Sequence, residues 1–354
     1  MIKLKKIYID NTIDRKNIEK FDLDRFSYEF ISRNQLQELE KNLTYITAKD
    51  YIFLTEKKDG FAKPCPGTKN YICCNYAVIN SQEGCHINCS YCILQGYLKI
   101  KIPRVFTNIS DILKDTARFL EKFPYRRIGT GELSDSLVYD HITRFSIDYI
   151  DFFRERPEVI FEFKTKTVNI DNLLKIKKVP ANAMVSWSVN TNRIIEQEEL
   201  RAPSLLNRLE AASQLQERGY KIGFHFDPVF IYNNAEKDYL RVIDTIFKFI
   251  KPSSIGYISI GCFRYLPFMK DSILENFKNT DIFKGEFFKG KDGKMRYFRP
   301  LREKLIKKMV QHLLSYSSDL NIYFCMESSN WWKTILGCNI NNNDEAQFHI
   351  DSKL

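Results

Sequence analysis

Cys85-His86-Ile87-Asn88-Cys89-Ser90-Tyr91-Cys92 places three thiols within eight residues at the spacing C-x3-C-x2-C. Three thiolates so spaced ligate three irons of one cubane cluster and leave the fourth iron without a protein ligand. An iron left open takes a ligand from outside, and the hard chemistry then belongs to the bound groups while the chain positions them. The same residues also admit a zinc site, with His86 or the nearby Cys74 closing a tetrahedron. Zinc sites usually come as paired CxxC knuckles, and only Cys89 and Cys92 make such a pair, so the spacing favours the cluster.

On either side of that loop the chain alternates between strand and helix patterns. An apolar run over 71–79, holding Cys73 and Cys74, reads as a strand that empties into the loop. Downstream, strand patterns at 127–130, 158–165, 183–189, 220–226 and 255–263 alternate with helical ones at 110–122, 142–154, 171–177, 203–219 and 236–250. Such alternation calls for a parallel sheet with right-handed crossovers, either open and doubly wound or a partial barrel. Polar residues gather where the strands end: Glu132, Ser134, Asp135, Lys166, Ser188, Asn190, Asp227 and Arg264. In a βα barrel those ends share one mouth, and there they would meet the cysteine loop. The expected fold is therefore α/β, a partial (βα)6 TIM-type barrel over 71–265. An N-terminal cap and lead-in loop over 1–70 would precede it, opening with a strand-like stretch from Leu4 to Ile9 and read beyond it as a small helical cap around Phe21, Phe26 and Phe30. Residues 266–354 would close it with a hairpin at 283–299, a helix at 301–316, a strand at 322–325 and a short helix holding Trp331, Trp332 and Leu336.

Hydrophobic residues at 44%, with 14 Gly and 11 Pro in 354 residues, describe a folded chain without low-complexity tracts. The charged start, Met1 to Lys6, has no apolar core of a secretory signal, and no stretch of 18 apolar residues occurs, so a cytoplasmic protein off the membrane is expected. Nine cysteines in such a chain read as metal ligands or reactive thiols rather than disulfides. A net charge of +10 favours an acidic partner, nucleic acid first, although a merely basic cytosolic enzyme fits the charge equally well. The segment 283–299 interleaves Lys284, Lys289, Lys291, Lys294, Arg296 and Arg299 with Phe287, Phe288, Tyr297 and Phe298 around Asp292-Gly293, a pattern suited to stacking on bases and meeting phosphates, or to a solvated basic face.

With Tyr91 before its last cysteine, the loop resembles the signature of the radical S-adenosylmethionine (SAM) superfamily. More specifically, the chain from about Ile79 to Arg299 resembles the spore photoproduct lyase family. The matching pieces are the cysteine loop with Leu94-Gln95, Pro103-Arg104-Val105-Phe106-Thr107-Asn108, Leu133-Ser134-Asp135, Phe163-Lys164-Thr165-Lys166, Ser186-Trp187-Ser188-Val189-Asn190 and Gly219-Tyr220-Lys221-Ile222-Gly223-Phe224. The resemblance implies a partial TIM barrel and one [4Fe-4S] cluster on Cys85, Cys89 and Cys92, with SAM held by Tyr91, Ser134, Lys166 and Ser188. It further implies an electron donor such as flavodoxin or ferredoxin, and thymine dimers in DNA as substrates of a carbon–carbon lyase that begins by hydrogen abstraction. Two positions depart from the family pattern: Glu132 stands where the family keeps its hydrogen-donor cysteine, and Ile93 where it keeps a relay tyrosine. Efficient repair is then not expected unless Cys73 or Cys74 serves instead.

Other residues carry bland readings beside functional ones. Glu132 is either a structural carboxylate paired with Lys166 or Arg127, or a contact to substrate or SAM, as a general base. His225 reads as hydrogen-bonded structure, and Cys262, Cys325 and Cys338 as buried small hydrophobes. Two further functions stay open: radical SAM modification of a peptide, protein or small molecule, and a non-catalytic, zinc-stapled nucleic-acid-binding protein.

Overall fold

Strands dominated by Ile, Val, Phe and Tyr assemble the main sheet in the order in which they occur in the chain. From one edge these are Ala62–Pro64, Ala77–Ile79, Arg127–Thr130, Ile160–Thr165, Ala183–Ser188, Lys221–Val229, Ile255–Cys262 and Ile322–Phe324. The first pair is antiparallel and every later pair parallel. A doubly wound sheet reverses its strand order at a switch point. This one does not, and its edges do not pair with each other, so it is an open barrel as expected. The structure is a computed structural model, and it describes residues 4–123 and 125–354; Met1 to Lys3 of the expected cap lie outside them.

A seventh parallel strand, Ile322–Phe324, extends the six expected ones by pairing with Ile255–Cys262. The first barrel strand is shorter than its apolar run, because Asn70 and Asn75 take left-handed backbone (φ 64° and 48°) and Ile72 instead bridges to Glu327. The helix expected over 142–154 is broken at Arg144, which is also left-handed, into Asp140–Thr143 and Phe145–Arg154. Ser204, rather than Pro203, opens the helix Leu205–Glu217, accepting a hydrogen bond from the Asn207 N–H.

The strand expected over Leu4 to Ile9 forms as Lys6–Asp10, but the sequence around Phe21, Phe26 and Phe30 does not make the expected helical cap; Tyr28–Ile31 and Tyr51–Thr55 instead pair in parallel with Lys6–Asp10, and the helix Arg33–Lys41 lies between them in the chain. Two segments that flank the cysteine loop, Gln82–Glu83 and Arg104–Phe106, complete this five-stranded sheet. Both ends of the loop are thereby anchored to the N-terminal sheet while its centre faces the barrel. At the opposite end of the barrel the helix Asn343–Asp351 forms a floor: Asp351 reaches the buried Arg127 at 2.5 Å, and Asn321 donates to the Ile350 carbonyl at 2.8 Å. One continuous apolar core runs between the barrel strands and their helices.

Candidate active site

The cysteine loop is fixed by the helix Asn192–Glu198 and the turn after it. Ser90 N–H donates to the Glu198 carbonyl at 2.8 Å, its hydroxyl bonds the Glu198 carboxylate, and Cys89 bridges to Glu199. Glu199 is buried between the Tyr91 hydroxyl and the Arg208 guanidinium, which hold its carboxyl below the usual range against the effect of burial. Asn88, between two cysteines, adopts left-handed backbone (φ 61°), which Asn tolerates better than most residues.

Cys85, Cys89 and Cys92 line one cavity of about 330 Å³ together with Glu132, Ser134, Asp135, Lys166, Ser188, Asp227 and Arg264. Seven of the eight strand-end polar residues are thus brought together. The eighth, Asn190, is engaged elsewhere, donating to the Pro228 carbonyl at 2.8 Å and accepting from Tyr239 at 2.7 Å. Burial, with Asp135 nearby, pushes the Cys85 thiol up to about 12, and burial raises Cys89 and Cys92 likewise. A metal that binds such thiols displaces their protons. Among the described residues no three His, Cys, Asp or Glu side chains are arranged to hold a single metal ion. His86 has its Nδ1 on the Lys49 carbonyl at 2.5 Å and Cys74 does not line the cavity, so neither residue read as a fourth zinc ligand is placed beside the three cysteines.

The donor set fits a multi-iron cluster better. Three thiols of one loop open on one cavity, and Asn88 beside them is buried with both amide atoms unpartnered among the described residues. Opposite, the Asp135 carboxylate receives the Lys166 N–H at 2.6 Å and the Thr165 hydroxyl at 2.7 Å, fixing the third strand's end. Burial works against the Lys166 ammonium, but Cys89 and Glu199 outweigh it and hold its pKa above the ordinary lysine range. Its Nζ lies 5.9 Å from the Tyr91 ring centre. Ser134 donates to Gln82 at 3.4 Å, and Ser188 is buried at the cavity wall. Three contributors escaped the sequence reading: Lys164 from the third strand, and Tyr45 and Lys49 from the N-terminal segment. Lys164 lay within a quoted motif, whereas nothing in the pattern around 45–49 signals a cavity.

The spore photoproduct lyase family model matches residues 14–321. The chain belongs to the spore photoproduct lyase family. The spore photoproduct lyase of Clostridium acetobutylicum is 28% identical over 251 residues, 68% of this chain and 72% of that one. That of Bacillus subtilis is 28% identical over 166 residues, 46% and 48% of the two chains. In fold, the chain is similar to a spore photoproduct lyase complexed with dinucleoside spore photoproduct (TM-score 0.78, 21% identity, 91% of this chain and 99% of that one). It is similar also to a mutant spore photoproduct lyase with bound AdoMet and the same dinucleoside (TM-score 0.74, 20% identity, 92% and 99%).

Set against the spore photoproduct lyase pattern, Glu132 pairs neither with Lys166 nor with Arg127. Lys63 holds it at 3.1 Å and Asn80 at 2.7 Å. His225 is hydrogen-bonded as read, to Glu162 at 2.8 Å, and Asp227 is paired with Arg264 at 3.1 Å. Cys262 is buried, but Cys325 and Cys338 are only partly so. None of Cys65, Cys73 and Cys74 lines the cavity.

The hairpin of this lyase family member forms where expected, Phe287–Lys289 against Met295–Tyr297, with Arg264–Tyr265 as a third strand. Strand alternation divides its side chains. Phe288 and Phe298 are exposed and 5.3 Å apart, while Phe287 and Tyr297 pack inward on a second apolar cluster. Lys294 and Arg296, expected to meet phosphates, are buried; Asp292 takes Arg296 at 2.7 Å and Lys294 at 3.8 Å. Lys289 and Lys291 remain exposed and without an ion pair among the described residues. No helix of the described residues is long and apolar enough to cross a membrane.

Proposed function

We propose that this chain is a radical SAM lyase that acts on a thymine photodimer in DNA. The observation that supports it most is the meeting, in a member of the spore photoproduct lyase family, of three thiols from one loop with Ser134, Lys166 and Ser188 from three strand ends at one cavity. Cys85, Cys89 and Cys92 would hold a [4Fe-4S] cluster, which when bound supplies the electron that breaks a C–S bond of SAM, that electron arriving from a flavodoxin or ferredoxin. Lys166, kept charged, is suited to the carboxylate of SAM, and Ser134 and Ser188 offer hydroxyls to its polar groups. Tyr91, fixed through Glu199, keeps the loop's last turn against the barrel. Ile87, Ile93, Leu98, Ile100 and Phe263 supply apolar wall that limits water around a reactive radical. The exposed Phe288 and Phe298, with Lys289 and Lys291, suit a nucleic-acid strand.

The test uses anaerobic protein reconstituted with iron and sulfide, given SAM, a reductant and dinucleoside spore photoproduct. Expected are 5′-deoxyadenosine from the natural protein and its loss in Cys89→Ala. Iron-loaded protein that cleaves SAM but leaves the photoproduct untouched in both dinucleoside and duplex would move the substrate to a peptide or small molecule. A colourless zinc protein would remove the enzyme reading.

A further inference from the structure

Lys49 is the C-cap of the short helix Tyr45–Ala48, far in sequence from the cysteine loop. The five-stranded N-terminal sheet brings it there: Tyr51–Thr55 pairs with Arg104–Phe106, which in turn pairs with Gln82–Glu83 just ahead of Cys85. The tie is then made local by the Lys49 carbonyl, which receives His86 of the loop at 2.5 Å. The side chain continues into the cavity lined by Cys85, Cys89 and Cys92. There it is 3% exposed, and its ammonium lies 4.3 Å from the Tyr45 ring centre. Its ammonium makes no salt bridge or hydrogen bond among the described residues, and burial lowers its pKa from the ordinary lysine value, opposed by Cys92, Cys85 and the carboxylate of Glu40.

An ammonium taken out of water without a counter-charge is costly. A ring face returns only part of that cost. Lys166, another lysine of the cavity, is held charged by Cys89 and Glu199, whereas at Lys49 the pull of Cys92, Cys85 and Glu40 does not offset burial. The anion that would meet it is the one the three thiols assemble. Three thiolates outweigh the positive charge of a [4Fe-4S] core, and the reduced cluster carries one negative charge more than the oxidised one. A fixed cation beside it therefore favours the reduced form, and net local charge is one of the protein's levers on cluster potential.

We propose that Lys49, buried in the wall of the cavity it shares with Cys85 and Cys92, is an electrostatic tuning residue of the cluster site that raises the cluster's reduction potential and so eases its loading with an electron. The proposal rests on the reading of the three cysteines as cluster ligands. It assigns to the N-terminal segment a part in the redox chemistry, acting through the cluster rather than on substrate.

The experiment is a potentiometric titration, followed by electron paramagnetic resonance, of the full chain reconstituted anaerobically, comparing the natural protein with Lys49→Met and Lys49→Arg at matched iron and sulfide. A shift to more negative potential in the Met variant, largely reversed in the Arg variant, is expected. An unmoved potential in an iron-loaded Met variant overturns the proposal and leaves the cluster reading intact, and so does weakened SAM binding without a shift. If the Met variant takes up no cluster, the Arg variant decides: cluster uptake by Arg alone supports a need for charge, and failure of both shows a packing role and overturns it. A natural protein that binds no iron overturns the proposal together with the reading beneath it.

Discussion

Glu132 stands at the cavity wall with its carboxylate held by Lys63 and Asn80. A thiol gives up a hydrogen atom readily because its S–H bond is weak; a carboxyl group does not, nor does the alkyl side chain of Ile93. After fragmentation of a thymine dimer the product radical would therefore lack a donor at the cavity wall. Glu132→Cys is expected to raise the yield of thymidine dinucleotide per 5′-deoxyadenosine several-fold, and a Cys73→Ala, Cys74→Ala double variant to leave the natural yield unchanged, since neither thiol lines the cavity. Clean conversion by the natural protein, undiminished in the double variant, would show that another donor exists. At this scale Ser134, Lys166 and Ser188 were legible because each ends a strand whose pattern is plain. Lys49 was not legible, since its place depends on which strands a distant sheet pairs, and that pairing is a tertiary fact.

The hairpin shows what local pattern resolves and what it leaves open. Its turn, Asp292-Gly293, was readable from residue type, and Gly293 indeed takes left-handed backbone at φ 79°. Which of its cations face outward was not, because alternation fixes two faces without saying what covers each: Phe287 and Tyr297 pack on the second apolar cluster, and Arg296 on the other face is buried against Asp292 and Glu327. Replacing Lys289 and Lys291 with Ala is expected to make the log–log salt dependence of DNA binding shallower by about 1 per lysine, and Lys294→Ala to leave the slope unchanged. Equal effects of all three would contradict the buried placement of Lys294. Burial alone would raise the Asp292 carboxyl, but its hydrogen bond from Arg296 prevails and lowers it. A carboxyl lowered in the folded state stabilises fully above its unfolded pKa, about 3.9, and that contribution is lost as pH falls through the folded value. Hydrogen exchange of the hairpin amides should accordingly quicken in acid, and Asp292→Asn should remove most of that pH dependence.

Across the whole molecule the strand order is the feature that composition and periodicity came closest to fixing, since successive βα units leave few topologies. The floor was beyond reach: nothing in the pattern at 343–351 announces that Asp351 meets Arg127, a buried pair separated by most of the chain. Removing one partner of such a pair strands the other, at a cost of about 3–5 kcal/mol. Asp351→Ala should therefore lower the thermal midpoint clearly, more than Glu38→Ala, whose ion pair with Lys41 is exposed; equal midpoints would mean that the floor helix contributes little to barrel stability. The three-stranded sheet of the hairpin has a further consequence. Arg264, which lines the cavity, is also the first residue of the strand on which the hairpin is built, and Thr68 and Asn70 pin the hairpin turn to Asp292 and Lys291 at 2.8 and 3.1 Å. If the proposed function holds, the exposed Phe288 and Phe298 and the cavity are two marks on one ruler: the nucleotide that reaches the cavity would be set by a constant offset from the one that stacks on the hairpin, and a lesion one base out of phase would be passed over however tightly the protein held the strand.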